Sequence, residues 1–264
     1  MIEVMQADGK SGDAGGSSIA SWKFLYGAGA VSAFAYVLLI LIPLVLLVVQ
    51  PQAPLRGGAA ILEYIAAHKA IYLAELICFV GLSLPAIVVF LALGAALWRR
   101  DRSLALIGAV IGVGSELIAL ALGSSPPSLN GGLVLLSAQY QAASEVLRPS
   151  LAAAAEALAA YANAVSAAGM LTALGILILS IPMARGGFPK WVGVLGIVTG
   201  ALGIAFEALR DYIGAAYGLY GILLPLWFVL SGVGLGRLRK AEGEEARYAP
   251  PARSDRRTGT SATV

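Results

Sequence analysis

The sequence predicts an all-α, polytopic membrane protein: a six-transmembrane-helix bundle with an extra outer-side helical segment. Three observations predict it. Hydrophobic residues make up 59% of the chain and charged residues only 12%, against roughly 25% charged in soluble domains. Several apolar runs reach about 18 residues or more, the length a helix needs to cross the hydrocarbon core. Finally, Gly193, Gly196, Gly200, Gly203 and Glu207 recur at alternating steps of three and four. That spacing puts four glycines and one carboxylate on a single helical seam. Small residues let backbones approach closely in a membrane, so Glu207 is expected to face other helices and not lipid.

Residues 1–22 are polar, rich in Gly, Ser and Asp, and expected to be disordered. They lack the basic start of a signal peptide, and the apolar run behind them is too long for one. The membrane domain is expected over 23–240. Its first span covers 24–49, with Pro43 a bend point. A loop over 50–69 closes in a short amphipathic segment, 61–67. The second span, 70–98, carries Glu75 and Pro85, and Arg99, Arg100, Asp101 and Arg102 form a basic turn. The third span, 104–122, carries Glu116.

A long polar connection follows over 124–161. Residues 124–132 are turn chemistry, rich in Ser, Pro, Asn and Gly. A helix over 133–147 contains enough polar residues to be expected on the surface. Pro149 should break it, with Ser150 as the cap of an alanine-rich helix leading into the fourth span, 162–183. Unbroken, 151–183 would run about 50 Å at 1.5 Å per residue, so it must bend or project from the membrane. A second basic turn covers 184–190. The fifth span is 191–209, the sixth is 214–235 with Pro225 inside it, and 241–264 is a charged tail expected to be disordered and cytoplasmic.

Lys and Arg placement sets the orientation. With six spans both termini share one side, which carries fourteen of the eighteen Lys and Arg residues. Only Arg56, Lys69, Arg148 and Arg210 fall on the other. The expected location is the plasma membrane, multi-pass, with both termini cytoplasmic. Trp22, Trp98 and Trp191 fall at the inner boundary, while Tyr64, Tyr72, Tyr161, Tyr212 and Tyr217 crowd the outer one, as interfacial anchors do.

Glu75, Glu116 and Glu207 all fall in the outer part of their spans. His68 and Lys69 sit just above Glu75, and Arg210 and Asp211 follow Glu207. Glu116 shares a face with Gly108 and Gly112, so it too should point inward. A carboxylate deep in a bilayer costs a few kcal/mol unless it is paired, protonated or hydrated. One reading is a polar plug that fixes helix register. The other is a hydrated pocket, open outward, for a proton, a small cation or a lipid headgroup. The candidates for ligand binding or ion pairing are Glu75, Glu116, Glu207, Arg210, Asp211, His68 and Lys69. The helix-packing glycines are Gly108, Gly112, Gly193, Gly196, Gly200 and Gly203.

Catalytic and cofactor signals are thin. One histidine and one cysteine exclude a bis-histidine haem, a zinc site of the usual His kind and an intrachain disulfide. Ser115 lies in a span with no histidine at comparable depth to activate it. No phosphate loop or nucleic-acid module is visible, so no cofactor, metal or nucleic-acid partner is expected. The expected partners are membrane lipids, with other membrane subunits or a homo-oligomer as further options. A structural or accessory subunit is the alternative to a binding or transport module, and a membrane-embedded enzyme stands behind both.

The stretches 97–109 (L-W-R-R-D-R-S-L-A-L-I-G-A) and 186–200 (G-G-F-P-K-W-V-G-V-L-G-I-V-T-G) resemble the two cytoplasmic turns of a family of uncharacterised prokaryotic six-helix integral membrane proteins, a domain of unknown function. In that family a basic turn followed by S-L-A-L opens the third span, and P-[RK]-W-[LV]-G opens the fifth. The resemblance covers about residues 20–240. It implies a six-helix α-bundle and lends no activity or catalytic residue.

Overall fold

The computed structural model describes residues 17–49, 53–125, 129–163 and 166–248. Its helices are α1 (Ser17–Val49), α2 (Gly58–Ala67), α3 (Lys69–Gly81), α4 (Ser83–Leu97), α5 (Arg102–Leu122), α6 (Gly131–Ala142), α7 (Arg148–Asn163), α8 (Ser166–Arg185), α9 (Lys190–Ala208), α10 (Arg210–Ile213) and α11 (Tyr217–Tyr248). A short antiparallel ladder joins β1 (Ser124–Ser125) to β2 (Leu129–Asn130). Among the described residues, six helical stretches are long and apolar enough to cross a membrane: α1, α3 running into α4, α5, α8 led in by α7, α9 and α11.

The six spans close into a ring in chain order. α1 packs on α4, α4 on α5, α5 on α8, α8 on α9, α9 on α11, and α11 back on α1. Short turns join α4 to α5 and α8 to α9 and make each of those pairs antiparallel neighbours. At one turn the Asp101 side chain accepts a 3.0 Å hydrogen bond from the Leu104 amide, capping α5. It also pairs with Arg185 of the other turn at 3.3 Å. Gly186 and Gly187 take positive φ there, and Pro189 leads into α9. The ring is filled by aromatic rings. Phe228 stacks on Tyr36 with centroids 3.7 Å apart and meets Phe90 edge-on at 6.3 Å.

A second core lies at the other end of the spans. There α2, α6 and α7 pack on one another beside α3 and bury Ile61, Leu62, Ile65, Tyr72, Leu133 and Tyr140. Gly58 lets α2 meet α7 closely, because a Cβ there would run into the Ala152 carbonyl. Ser137 donates to the Leu62 carbonyl at 2.7 Å, and Tyr72 bonds the Asn130 backbone. Asn130 also caps α6 through the Gly132 amide.

Several expected boundaries shift. α1 opens at Ser17, inside the segment expected to be disordered, and residues 1–16 lie outside the described residues. α11 carries the last span on to Tyr248, with 249–264 outside them too. The second span is two helices in line, meeting at Leu82. Pro85 has no N–H for the Gly81 carbonyl, so the hydrogen-bond ladder breaks there. The alanine-rich stretch divides into α7 and α8. The helix expected on the surface over 133–147 is α6, which buries Leu133, Ser137 and Tyr140, because α2 and α7 offer it an apolar partner. Pro43 and Pro225 lie within α1 and α11.

Candidate functional site

The ends of α5, α8 and α9 far from the two basic turns, the adjoining halves of α1 and α11, β1 and the α3–α4 junction line a cavity of about 440 Å³. Ile40, Leu44, Phe79, Leu82, Ile222 and Leu224 give it apolar walls. Its polar groups are Ser83, Glu116, Ser124, Ser125, Thr172, Glu207, Arg210 and three tyrosines, Tyr36, Tyr217 and Tyr220.

Glu116 is positioned by a helix crossing. α5 and α8 run antiparallel and touch at Gly112 and Gly175, where a Cβ on Gly175 would lie 2.9 Å from the Gly112 Cα. One turn outward from that contact, Ser115 and Glu116 on α5 meet Thr172 on α8. The Thr172 hydroxyl donates to Oε1 of Glu116 at 3.0 Å and lies 2.9 Å from the Ser115 hydroxyl. The Ser115 hydroxyl also lies 2.8 Å from the Gly112 carbonyl. Each hydroxyl has one proton, so with Thr172 donating to the carboxylate, the Ser115 proton goes either to the Gly112 carbonyl or to the Thr172 oxygen. Ser83, at the start of α4, is hydrogen-bonded to the same carboxyl group. Glu116 is 4% exposed. Among the described residues its partners are hydroxyls, and no cation pairs with it.

Glu207 is held differently. Gly193, Gly196, Gly200 and Gly203 are all buried on one face of α9. At Gly200 a Cβ would come 2.7 Å from the Ala173 carbonyl, and at Gly203 it would meet the Tyr220 ring at 2.6 Å. One turn on, Glu207 reaches α8 at Gly169, where a Cβ would lie 2.6 Å from its carboxyl carbon. Tyr217 donates to Oε1 at 2.7 Å, and Arg210 reaches Oε2 at 3.5 Å. The Arg210 guanidinium also lies 4.5 Å from the Tyr217 ring centroid. Glu207 thus carries its own counter-ion.

The other candidates fall elsewhere. Glu75 is buried at 6% exposure but does not line the cavity. It lies on the outer-core side, within electrostatic range of Tyr64 and Tyr72. Partial burial and then the Glu75 charge raise the Tyr64 phenol above its ordinary pKa. His68 is the joint between α2 and α3. Its Nδ1 lies 3.2 Å from the Tyr64 carbonyl and its ring stacks on Tyr64 at 4.6 Å. Lys69 is exposed at the start of α3 and forms no ion pair among the described residues. The Asp211 side chain lies outside the described residues. Gly108 packs against Leu179 of α8, and Gly112 against Phe90. No group of three or more His, Cys, Asp or Glu among the described residues could hold a metal ion.

Sequence reasoning passed over Thr172, Ser83 and Gly169, and read Tyr217 as an interfacial anchor. A signal was present. Gly169, Thr172 and Gly175 recur at three-residue steps, as do Tyr217 and Tyr220. Comparison of the chain with protein-family models, curated proteins and solved structures finds no match in any of the three.

Proposed function

We propose that this multi-pass membrane protein lies in the plasma membrane with both termini cytoplasmic, and that its outer cavity binds or transports a small organic cation or the ammonium group of a lipid headgroup. One observation carries the reading: Glu116 lines an apolar-walled cavity without a cationic partner of its own among the described residues. A bare metal ion fits the site poorly, because hard cations take six or more oxygen ligands and these walls are mostly carbon. A proton alone leaves the volume unexplained. A quaternary or protonated amine satisfies both features. Its charge pairs with Glu116, its alkyl surface meets Ile40, Leu44 and Leu224, and Tyr36, Tyr217 and Tyr220 line the same space. The inner halves of the spans hold almost no ionisable residues, which favours binding over a charge relay.

The test compares benzyltrimethylammonium with neopentylbenzene, its neutral carbon isostere, as stabilisers of the purified protein in nanodiscs. The reading predicts a rise in melting temperature with the cation alone. Equal response to both compounds, or to neither, overturns it.

A structural or accessory subunit is the second reading. It is favoured by the turn between α6 and α7, where the adjacent Val146 and Leu147 are 85% and 58% exposed outside the spans, two apolar side chains that a partner subunit could cover.

A further inference from the structure

A second cleft lies at the opposite end of the bundle, between α1 and α11, with a volume of about 460 Å³. Its polar rim is Lys23, Arg239, Lys240 and Glu244, and its floor is Gly27, Ala30, Val31 and Gly236. The small floor residues create the space. A Cβ on Gly27 would lie 3.1 Å from Arg239 Cδ and Nε, so the arginine stem lies across α1 at that point. Three cations face one carboxylate, and none of the four forms an ion pair among the described residues. Three cations against one carboxylate leave the cleft with an excess of positive charge, which attracts an anion. Flexible lysines and a planar guanidinium are the donors that phosphate oxygens take.

The surroundings indicate where that anion comes from. Trp22, a headgroup-level anchor by type, sits beside Lys23 and is exposed. From Val31 an exposed apolar stripe continues along the same face of α1 through Phe34, Leu38, Leu41 and Val45. A phosphate in the cleft would leave an attached acyl chain lying against that stripe. The geometry points to a binding site for a phosphate-bearing anion, seated by Lys23, Arg239 and Lys240, with an anionic phospholipid as the source that the apolar stripe favours. This site is independent of the outer cavity and of the reading given to it.

Native mass spectrometry of the full chain tests it, after release from nanodiscs of phosphatidylcholine containing phosphatidylglycerol. Wild type should retain phosphatidylglycerol. The double variant Arg239→Gln, Lys240→Gln should retain about thirtyfold less, given roughly 1 kcal/mol per basic residue at an anionic surface. Arg239→Lys, which keeps the charge, should recover most of it. The control is Arg99→Gln, Arg102→Gln, which removes the same charge from the same face and should retain lipid like wild type. In pure phosphatidylcholine nanodiscs, a melting shift with millimolar inorganic phosphate that the first double variant abolishes would support the anion site with a soluble source. Equal lipid loss in both double variants, or no loss in either, together with no phosphate response, overturns the proposal.

Discussion

Thr172 on α8 donates a 3.0 Å hydrogen bond to the Glu116 carboxylate on α5. The bond exists because Gly112 and Gly175 bring the two helices together one turn further in. A packing feature of the sequence therefore places a polar contact, and that contact fixes a carboxylate at the wall of a cavity.

Removing the hydroxyl isolates its contribution. Thr172→Val keeps the shape and deletes the donor, so it should destabilise the protein by about 1–2 kcal/mol, since bonds to charged groups contribute more than neutral ones but membrane hydrogen bonds average less than expected. Thr172→Ser should recover most of the loss. Thermal unfolding of the detergent-solubilised protein reads both, and a Val variant as stable as wild type contradicts the assigned bond.

The helix crossing predicts a contrast between two glycines. Gly175→Ala drives a methyl group against the Gly112 backbone and should cost about 1–3 kcal/mol, as overpacking does. Gly114 has no heavy atom within 4 Å of where its Cβ would be, so Gly114→Ala should be neutral or slightly stabilising. The same unfolding assay compares them, and equal effects would remove the close approach as the cause.

Glu207 and Tyr217 should be coupled. Tyr217→Phe and Glu207→Met, alone and together, form a double-mutant cycle across the 2.7 Å bond. A coupling of about 1 kcal/mol is expected. Simple additivity would mean that the phenol does not hold the carboxylate.

Orientation is testable by labelling. In intact cells producing the Cys78→Ala protein, a membrane-impermeant maleimide should label Ser144→Cys, between α6 and α7, and leave Arg102→Cys unlabelled until the membrane is opened. The reverse pattern inverts the topology.

Much of the fold was legible before any coordinates. Six spans, the basic inner turns and the α9 glycine seam follow from apolar run length and from residue spacing that one helix records by itself. The outer cap was not legible in the same way. α2, α6 and α7 are short and only partly apolar, and each becomes half-buried only because the other two are present. The site was partly readable. A carboxylate in a span announces itself by its cost, so Glu116 and Glu207 stand out. Their partners Thr172, Ser83 and Tyr217 are common residue types, inconspicuous until the ring of helices brings them into range. Glu75 sits at a depth in its span similar to that of Glu116, yet lies apart from the cavity, because depth along a span does not specify which neighbour a side chain faces.

The central claim is that Glu116 supplies the charge that holds a cation in the outer cavity. Isothermal titration of benzyltrimethylammonium into wild-type and Glu116→Gln protein in identical nanodiscs measures it most directly, with unfolding curves confirming that the variant is folded. The account predicts at least about a tenfold weaker affinity in the variant, the loss expected when one partner of a desolvated charge pair is removed. A folded Glu116→Gln protein that binds the cation as tightly as wild type would contradict it.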